Sequence, residues 1–438
     1  MQTNIDRIDG LAAPVAARNG RWKTLLGGSI GHFIEWFDWA IYGLMAGVFA
    51  GQMFPAANAT ASLMASLSVF AIGFIGRPVG AFVLSPLADK YGRQKLLAAT
   101  IIMTGLGSLV VGLCPTYAQI GLLAPLLIVL ARLLQGFSAG GEYQIAITFL
   151  NEHASVKHRA FNASPQQVSI GLSVLAATGV ASLVTHFVPP DALSAWGWRL
   201  PYLLGALLSL YGFYMRRGLD ETPAFQNNAS KASKTSLTSI IASLSKHPRE
   251  VLIVFVMQMN GVQYYLWLIF LPTYANLVGG LSRAEGFAGN MFATAAYCIG
   301  VPTFAYISDR IGRKPFLLGA STLFLLFVYP LLSMLTGELG FGTYVFVAVV
   351  GALFVSMNNA VLGTVLAELF PASVRVSGIG IPYAVCAAIF GGTAPLVATW
   401  LQNLGGPWYI ALYVMAICLI SIATHLFLTP ETRGRSLD

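Results

Sequence analysis

Five ionisable side chains lie inside runs of sequence that are otherwise apolar. They are Glu35 and Asp38 in "GHFIEWFDWAIYG", Arg77 in "GFIGRPVGA", and Arg132 and Glu142 at the two ends of "RLLQGFSAGGE". His32 is a sixth candidate, because imidazole titrates near neutrality. Charges in a hydrocarbon layer are expensive, and where they persist they mark substrate pathways or proton relays. Three carboxylates face two guanidiniums, so one acid is left without a cation and is a site for a proton. Glu35 and Asp38, three residues apart, share a helix face, and adjacent carboxylates disfavour double ionisation. The chemistry expected of the set is therefore reversible proton binding by Glu35, Asp38, His32 and Glu142. Arg77 and Arg132 would either receive a carboxylate in bidentate fashion or clamp helices together.

The elements that position these residues are transmembrane helices. Of 438 residues, 56% are hydrophobic and only 10% are charged, which excludes a soluble enzyme. A spanning helix needs about 20 apolar residues. Twelve such runs are predicted, near 25–49, 61–86, 96–114, 122–149, 162–187, 198–215, 251–278, 287–307, 316–336, 341–366, 377–402 and 408–428. The alternating ten-residue strands of a membrane barrel do not appear. Residues 1–24 read as a polar tail and not as a signal peptide. With both termini placed in the cytoplasm, 21 of the 25 Lys and Arg residues fall on the cytoplasmic side, as the positive-inside bias requires. The net charge of +8 is then a property of that surface, and nucleic acid is not an expected partner. Cys114, Cys298, Cys386 and Cys418 have neither metal-ligand spacing nor a disulfide framework and read as packing residues.

Helix rise sets depth. At about 1.5 Å per residue, Glu35 and Arg132 each lie about 15 Å from the ends of their spans and are expected to meet near the midplane. Arg77 and Glu142 lie nearer the cytoplasm and are expected to face each other. Gly136 and Gly140 form a G-x-x-x-G, which lets two helices approach closely.

The chain also repeats itself. Asp89, Gly92 and Arg93 in "LADKYGRQKLL" return as Asp309, Gly312 and Arg313 in "ISDRIGRKPFLL". The Glu152 to Arg159 spacing returns as Glu368 to Arg375. This divides the chain into a tail (1–24), a six-helix bundle (25–215), a polar linker (216–250), a second six-helix bundle (251–428) and a final tail (429–438). Parallel repeats of this kind are a plan of secondary transporters, with the site between the halves. The repeated surface loops read as a conformational clasp.

These loops resemble the signature of the major facilitator superfamily. "EWFDWAIYG", "GFIGRPVGA", "RLLQGFSAGGE", "WGWRLPYLLG", "ETPAF", "ELFPASVR" and "AIFGGTAPL" resemble its metabolite:H⁺ symporters, which include permeases for 2-oxoglutarate, citrate, shikimate and proline/betaine. Ser85 and Ala305 stand where the superfamily loops usually open with Gly, and His32 stands where the first span commonly has Asn. The resemblance implies an all-α fold of two six-helix bundles, alternating access, and a cavity lined by spans one, four, seven and ten. In the second half, Gln258, Gln263 and Tyr264 in span seven and Asn358 and Asn359 in span ten are the candidates to bind a polar substrate. Trp267 is a weaker candidate, and Arg199, between tryptophans, reads as an interfacial anchor.

The function expected from all this is proton symport of a small organic acid, a di- or tricarboxylate first, in the inner (plasma) membrane. The chain would act as a monomer in the bilayer, with H⁺ as coupling ion and no cofactor. A zwitterion such as betaine or proline is the alternative. The ending "PETRGRSLD" has no coiled coil of the kind osmosensory betaine carriers often bear, which weighs against that alternative. A drug/H⁺ exporter is disfavoured because the fifth span lacks a Gly-Pro pair, and an uncoupled facilitator would not need the extra buried acid.

Overall fold

The computed structural model describes residues 15–91, 93–140, 147–148, 150–151, 154–217, 244–371 and 374–437. Gly92, Glu142, Glu152 and most of the 216–250 segment lie outside the described residues, as do the side chains of Asp89 and Arg93. The fold is all α. The helices are α1 (Val15–Met53), α2 (Ala59–Tyr91), α3 (Arg93–Leu113), α4 (Leu123–Ser138), α5 (Pro165–Phe187) and α6 (Leu200–Arg217) in the first half. The second half has α7 (Pro248–Gly279), α8 (Arg283–Ile311), α9 (Lys314–Ser333), α10 (Phe341–Leu369), α11 (Gly378–Gly405) and α12 (Pro407–Phe427). Among the described residues nine of these are long and apolar enough to cross a membrane, and α3 and α4 add shorter apolar stretches. The predicted spans all appear in order. α1 begins at Val15, well before the predicted position 25, and α7 and α11 carry irregularities that the sequence did not announce.

The break in α7 has a local cause. Pro272 has no N–H for the carbonyl four residues earlier, and that carbonyl, Leu268 O, instead accepts Asn290 Nδ2 at 3.0 Å. Immediately before the proline, Tyr265–Phe270 winds as a π-helical turn, and Ala387–Gly391 does the same in α11. Such turns re-aim side chains within a helix. They meet where Tyr265 packs against Gly391 and against Phe74 of α2, its ring 5.4 Å from that of Phe74.

The two halves meet along α5 with α8 and along α2 with α11, while α1 lies against the π turn of α7. Three contacts of α8 with the first half are spread along its length. Near its start Arg283 donates to Gly47 O of α1 at 3.1 Å, and midway Tyr297 donates to Gln167 of α5 at 3.2 Å. At its end Asp309 accepts the backbone N–H groups of Ala160 and Phe161 at 3.1 and 3.0 Å.

That last contact belongs to a larger polar cluster. Asp309 pairs with Arg313 at 2.7 Å, and Glu368 pairs with Arg159 of the first half at 2.8 Å. The segment after α12 laces across it, with Thr432 donating to Glu368 at 2.6 Å and Arg159 donating to Arg435 O at 2.7 Å. Gly312, at φ +112°, turns the chain in a region closed to most side chains. Glu431 then accepts the N–H groups of Arg313 and Lys314 at 2.9 and 3.1 Å. Partial burial alone would raise the Glu431 carboxyl, but these bonds, with those from Arg433 and Thr432, outweigh it and hold it below the usual carboxylate range. A depressed carboxylate stabilises fully above its unfolded pKa and loses that contribution as pH falls through the folded one. Glu431→Gln should therefore speed amide exchange at 313–314 at pH 7, and the difference from wild type should vanish below the folded pKa. Equal exchange at pH 7 would show that the bonds contribute nothing.

Candidate functional site

Between the halves lies a small cavity of about 30 Å3, nearly closed by its walls. Its wall is built from Trp36 of α1, Gln167 and Ile170 of α5, and Gln258, Gly261, Tyr264 and Tyr265 of α7. Asn358, Asn359 and Leu362 of α10 and Tyr383 of α11 complete it. Among the described residues lining it, none is charged. Amides and aromatic faces dominate, a surface that can hydrogen-bond a polar solute and stack on a cationic or apolar portion of it.

Of the second-half residues expected to bind substrate, Gln258, Tyr264, Asn358 and Asn359 are in this wall, with Tyr265 beside them. Gln263 is not. Its Nε2 contacts Asn260 Oδ1 at 3.4 Å and Cys418 of α12 at 3.2 Å, inside the second bundle. Gln258, Gly261 and Tyr265 line the cavity at i, i+3 and i+7, so helical phase alone puts Gln263 on another face of α7. Trp267 donates to Val347 O at 3.2 Å and likewise packs within that bundle. Sequence reasoning missed Gln167 and Tyr383, and left Trp36 without a role. Gln167 carried the same signal as the asparagines, an amide in an apolar span.

The charged residues stand behind the first-half wall, and their pairing differs from the one predicted. Arg132 pairs with Asp38 at 3.1 Å and not with Glu35. Asp38 also accepts Ser108 Oγ, and Arg132 donates to Gln135 Oε1 at 2.8 Å. Arg77 pairs with Glu35 at 3.8 Å, so its described partner is Glu35, while Glu142, its predicted partner, lies outside the described residues. Trp39 is within 4.5 Å of the Arg77 guanidinium and 4.1 Å of the Arg132 guanidinium, a cation–π spacer between two like charges. Among the described residues, then, two acids match two cations, and Glu35 and Asp38 each face a guanidinium of their own. His32 is buried, its ring 6.2 Å from Trp36 and edge-on to it. Trp36 in turn lies 5.5 Å from Arg77 and 5.9 Å from Tyr264. One aromatic ring thus separates the inner ion pair from the cavity.

Gly136 in α4 and Gly140 just after it do what their spacing predicts. A Cβ on Gly136 would stand 1.8 Å from Gly73 O, and one on Gly140 would stand 2.3 Å from Arg77 O. Backbone-on-backbone contact between α2 and α4 brings Arg77 and Arg132 to the same face of α1. Arg199 stacks on Trp198 at 4.3 Å, consistent with an anchor.

Comparison with known proteins gives the same architecture. A profile of the family described as "Sugar (and other) transporter" matches residues 25–248 and 227–438. A protein of Staphylococcus aureus (strain COL) whose name proposes proline/betaine transport is 33% identical, over 99% of this chain and 92% of its own. The citrate-proton symporter of Salmonella typhi is 33% identical over 94% and 96% of the two chains. The alpha-ketoglutarate permease of Escherichia coli (strain K12) is 34% identical over 92% and 93%. Among solved structures, the proton:xylose symporter XylE, of the major facilitator superfamily, superposes with a TM-score of 0.73 over 96% and 98%, at 15% identity.

Proposed function

The chain belongs to the sugar (and other) transporter family of the major facilitator superfamily, and from that premise we propose that it moves a small carboxylate-bearing metabolite across the membrane together with a proton. It is a multi-pass carrier and not an enzyme. The observation that carries the reading is the neutral cavity backed by two buried ion pairs, Asp38–Arg132 and Glu35–Arg77. Protonating either acid removes a cation's partner, so proton binding and helix position on α1 are linked. Glu35, one ring from the cavity in a pair of 3.8 Å, is the acid whose protonation most directly reaches the substrate.

The wall favours a zwitterion over a di- or tricarboxylate. Aromatic faces suit an ammonium group and amides suit one carboxylate, while a second buried carboxylate would be left uncompensated. The dicarboxylate reading has one observation of its own: Arg77 Nε and Nη2 make no hydrogen bond among the described residues. A substrate carboxylate could take Arg77 once Glu35 is protonated. Both termini facing the cytoplasm, the Asp309 and Glu368 cluster acting as a clasp on that side, and function as a monomer complete the proposal, with H⁺ the only co-substrate.

Purified protein in liposomes tests it. With a gradient of one pH unit, one proton per net-neutral substrate supports about tenfold accumulation. We expect this for glycine betaine or proline, and weaker uptake of 2-oxoglutarate and citrate. Uptake confined to 2-oxoglutarate or citrate would overturn the zwitterion reading, and uptake indifferent to the gradient would overturn coupling. Glu35→Gln should lose gradient-driven accumulation while retaining counterflow exchange.

A further inference from the structure

Two amides of the cavity wall, one from each half, are joined through a buried side chain that is not itself in the wall. Asn359 Nδ2 donates to the Tyr297 hydroxyl at 2.9 Å, and that hydroxyl donates to Gln167 Oε1 at 3.2 Å. Asn358 Nδ2 adds a further donor, to Asn359 Oδ1 at 3.3 Å. The direction of the chain is set by its middle member: a hydroxyl that accepts from an amide N–H has its own proton free to give. Tyr297 is fully buried, its ring is pressed onto α5 so closely that a Cβ on Gly171 would stand 2.9 Å from it, and Tyr264 lies edge-on at 6.0 Å.

We propose that the Tyr297 hydroxyl is a latch that holds Gln167 and Asn359 in register, so that the two halves present one composite binding wall only while α5 and α8 are closed on each other. Tyr297 is a positioning residue: it acts on substrate through the amides that it orients. Without it, each amide loses one of the bonds that fix which of its atoms faces the substrate. The bond also crosses the seam, so closure of the seam and readiness of the wall are one event. This deepens the transport reading and rests on it for the affinity measurement alone.

Tyr297→Phe keeps the ring on Gly171 and removes only the hydroxyl. In liposomes, for whichever of glycine betaine, proline, 2-oxoglutarate or citrate the wild type accumulates, KM should rise about fivefold, the effect of one lost hydrogen bond, with kcat little changed. A second arm needs no substrate. Cys298 is half-buried at the seam, its Sγ 2.6 Å from the Cβ position of Gly171. In a Cys114→Ser, Cys386→Ser, Cys418→Ser background, N-ethylmaleimide labelling of Cys298 reads how often the seam opens. Tyr297→Phe and Gln167→Leu should each speed labelling about fivefold, and the double variant no further, because both remove the same bond. Unchanged labelling in both single variants, or independent effects that multiply in the double, would overturn the latch. If none of the four solutes is accumulated by wild type, the transport reading fails while the labelling arm still decides the latch.

Discussion

Asp38→Ala should cost about 3–5 kcal/mol of stability, the penalty typical of stripping one partner from a buried ion pair. Arg132 is fully buried, and among the described residues Asp38 is the acid that it pairs with. Without Asp38 the guanidinium retains Gln135 and the faces of Trp39 and Tyr42, which soften a positive charge without neutralising it. Thermal unfolding in detergent, followed through the Trp signal, measures the loss. The double variant Asp38→Ala, Arg132→Met should recover most of it, since an apolar replacement of a whole buried pair is often near neutral. Gradient-driven transport should be absent in both. A single variant within about 1 kcal/mol of wild type, the worth of an exposed pair, would mean that the pair is solvated and that the proton pathway must be redrawn.

Gly136→Leu should be damaging on a similar scale. The atom that a Cβ would strike is the carbonyl of Gly73, at 1.8 Å, and backbone cannot rotate away as a side chain does. Separation of α2 from α4 is then the only relief, at or beyond the upper end, about 3 kcal/mol, of what overpacking usually costs. The expected result is loss of the monodisperse species on size exclusion. Gly51→Ala, where nothing lies within 4 Å, is the matched control and should behave as wild type. A well-folded Gly136→Leu protein would show that the two helices are not in backbone contact.

The hydrophobic runs and the repeated D-x-x-G-R loops made the fold legible, because lipid demands continuous apolar helices and a repeated loop marks a repeated bundle. The site was legible only in its inventory. Helix rise places Glu35 and Asp38 about 4.5 Å apart along the axis, which is too little for depth alone to decide which of them Arg132 meets. The choice depends on helix rotation, and the glycine contacts between α2 and α4 fix that rotation. Asn358, Asn359 and Gln258 could be found because an amide facing lipid is costly. Gln263 obeyed the same rule, but its helical phase points it at Asn260 and Cys418 inside the second bundle. The preference for an organic acid rested on Arg77 and Arg132 facing the substrate. Both stand behind the wall with carboxylates beside them.

Helix α8 touches the first half at Gly47, Gln167 and the Ala160–Phe161 turn, near its two ends and its middle. α8 runs continuously from Arg283 to Ile311, with Pro302 removing one backbone bond between the middle and last of these stations. A rod held at three stations cannot lift at one end without loading the other, so α8 works as a mechanical interlock. Such a part explains how a carrier avoids becoming a pore: leakage requires both ends to be free at once, and one stiff member that must release them in turn makes that state rare without a dedicated sensor.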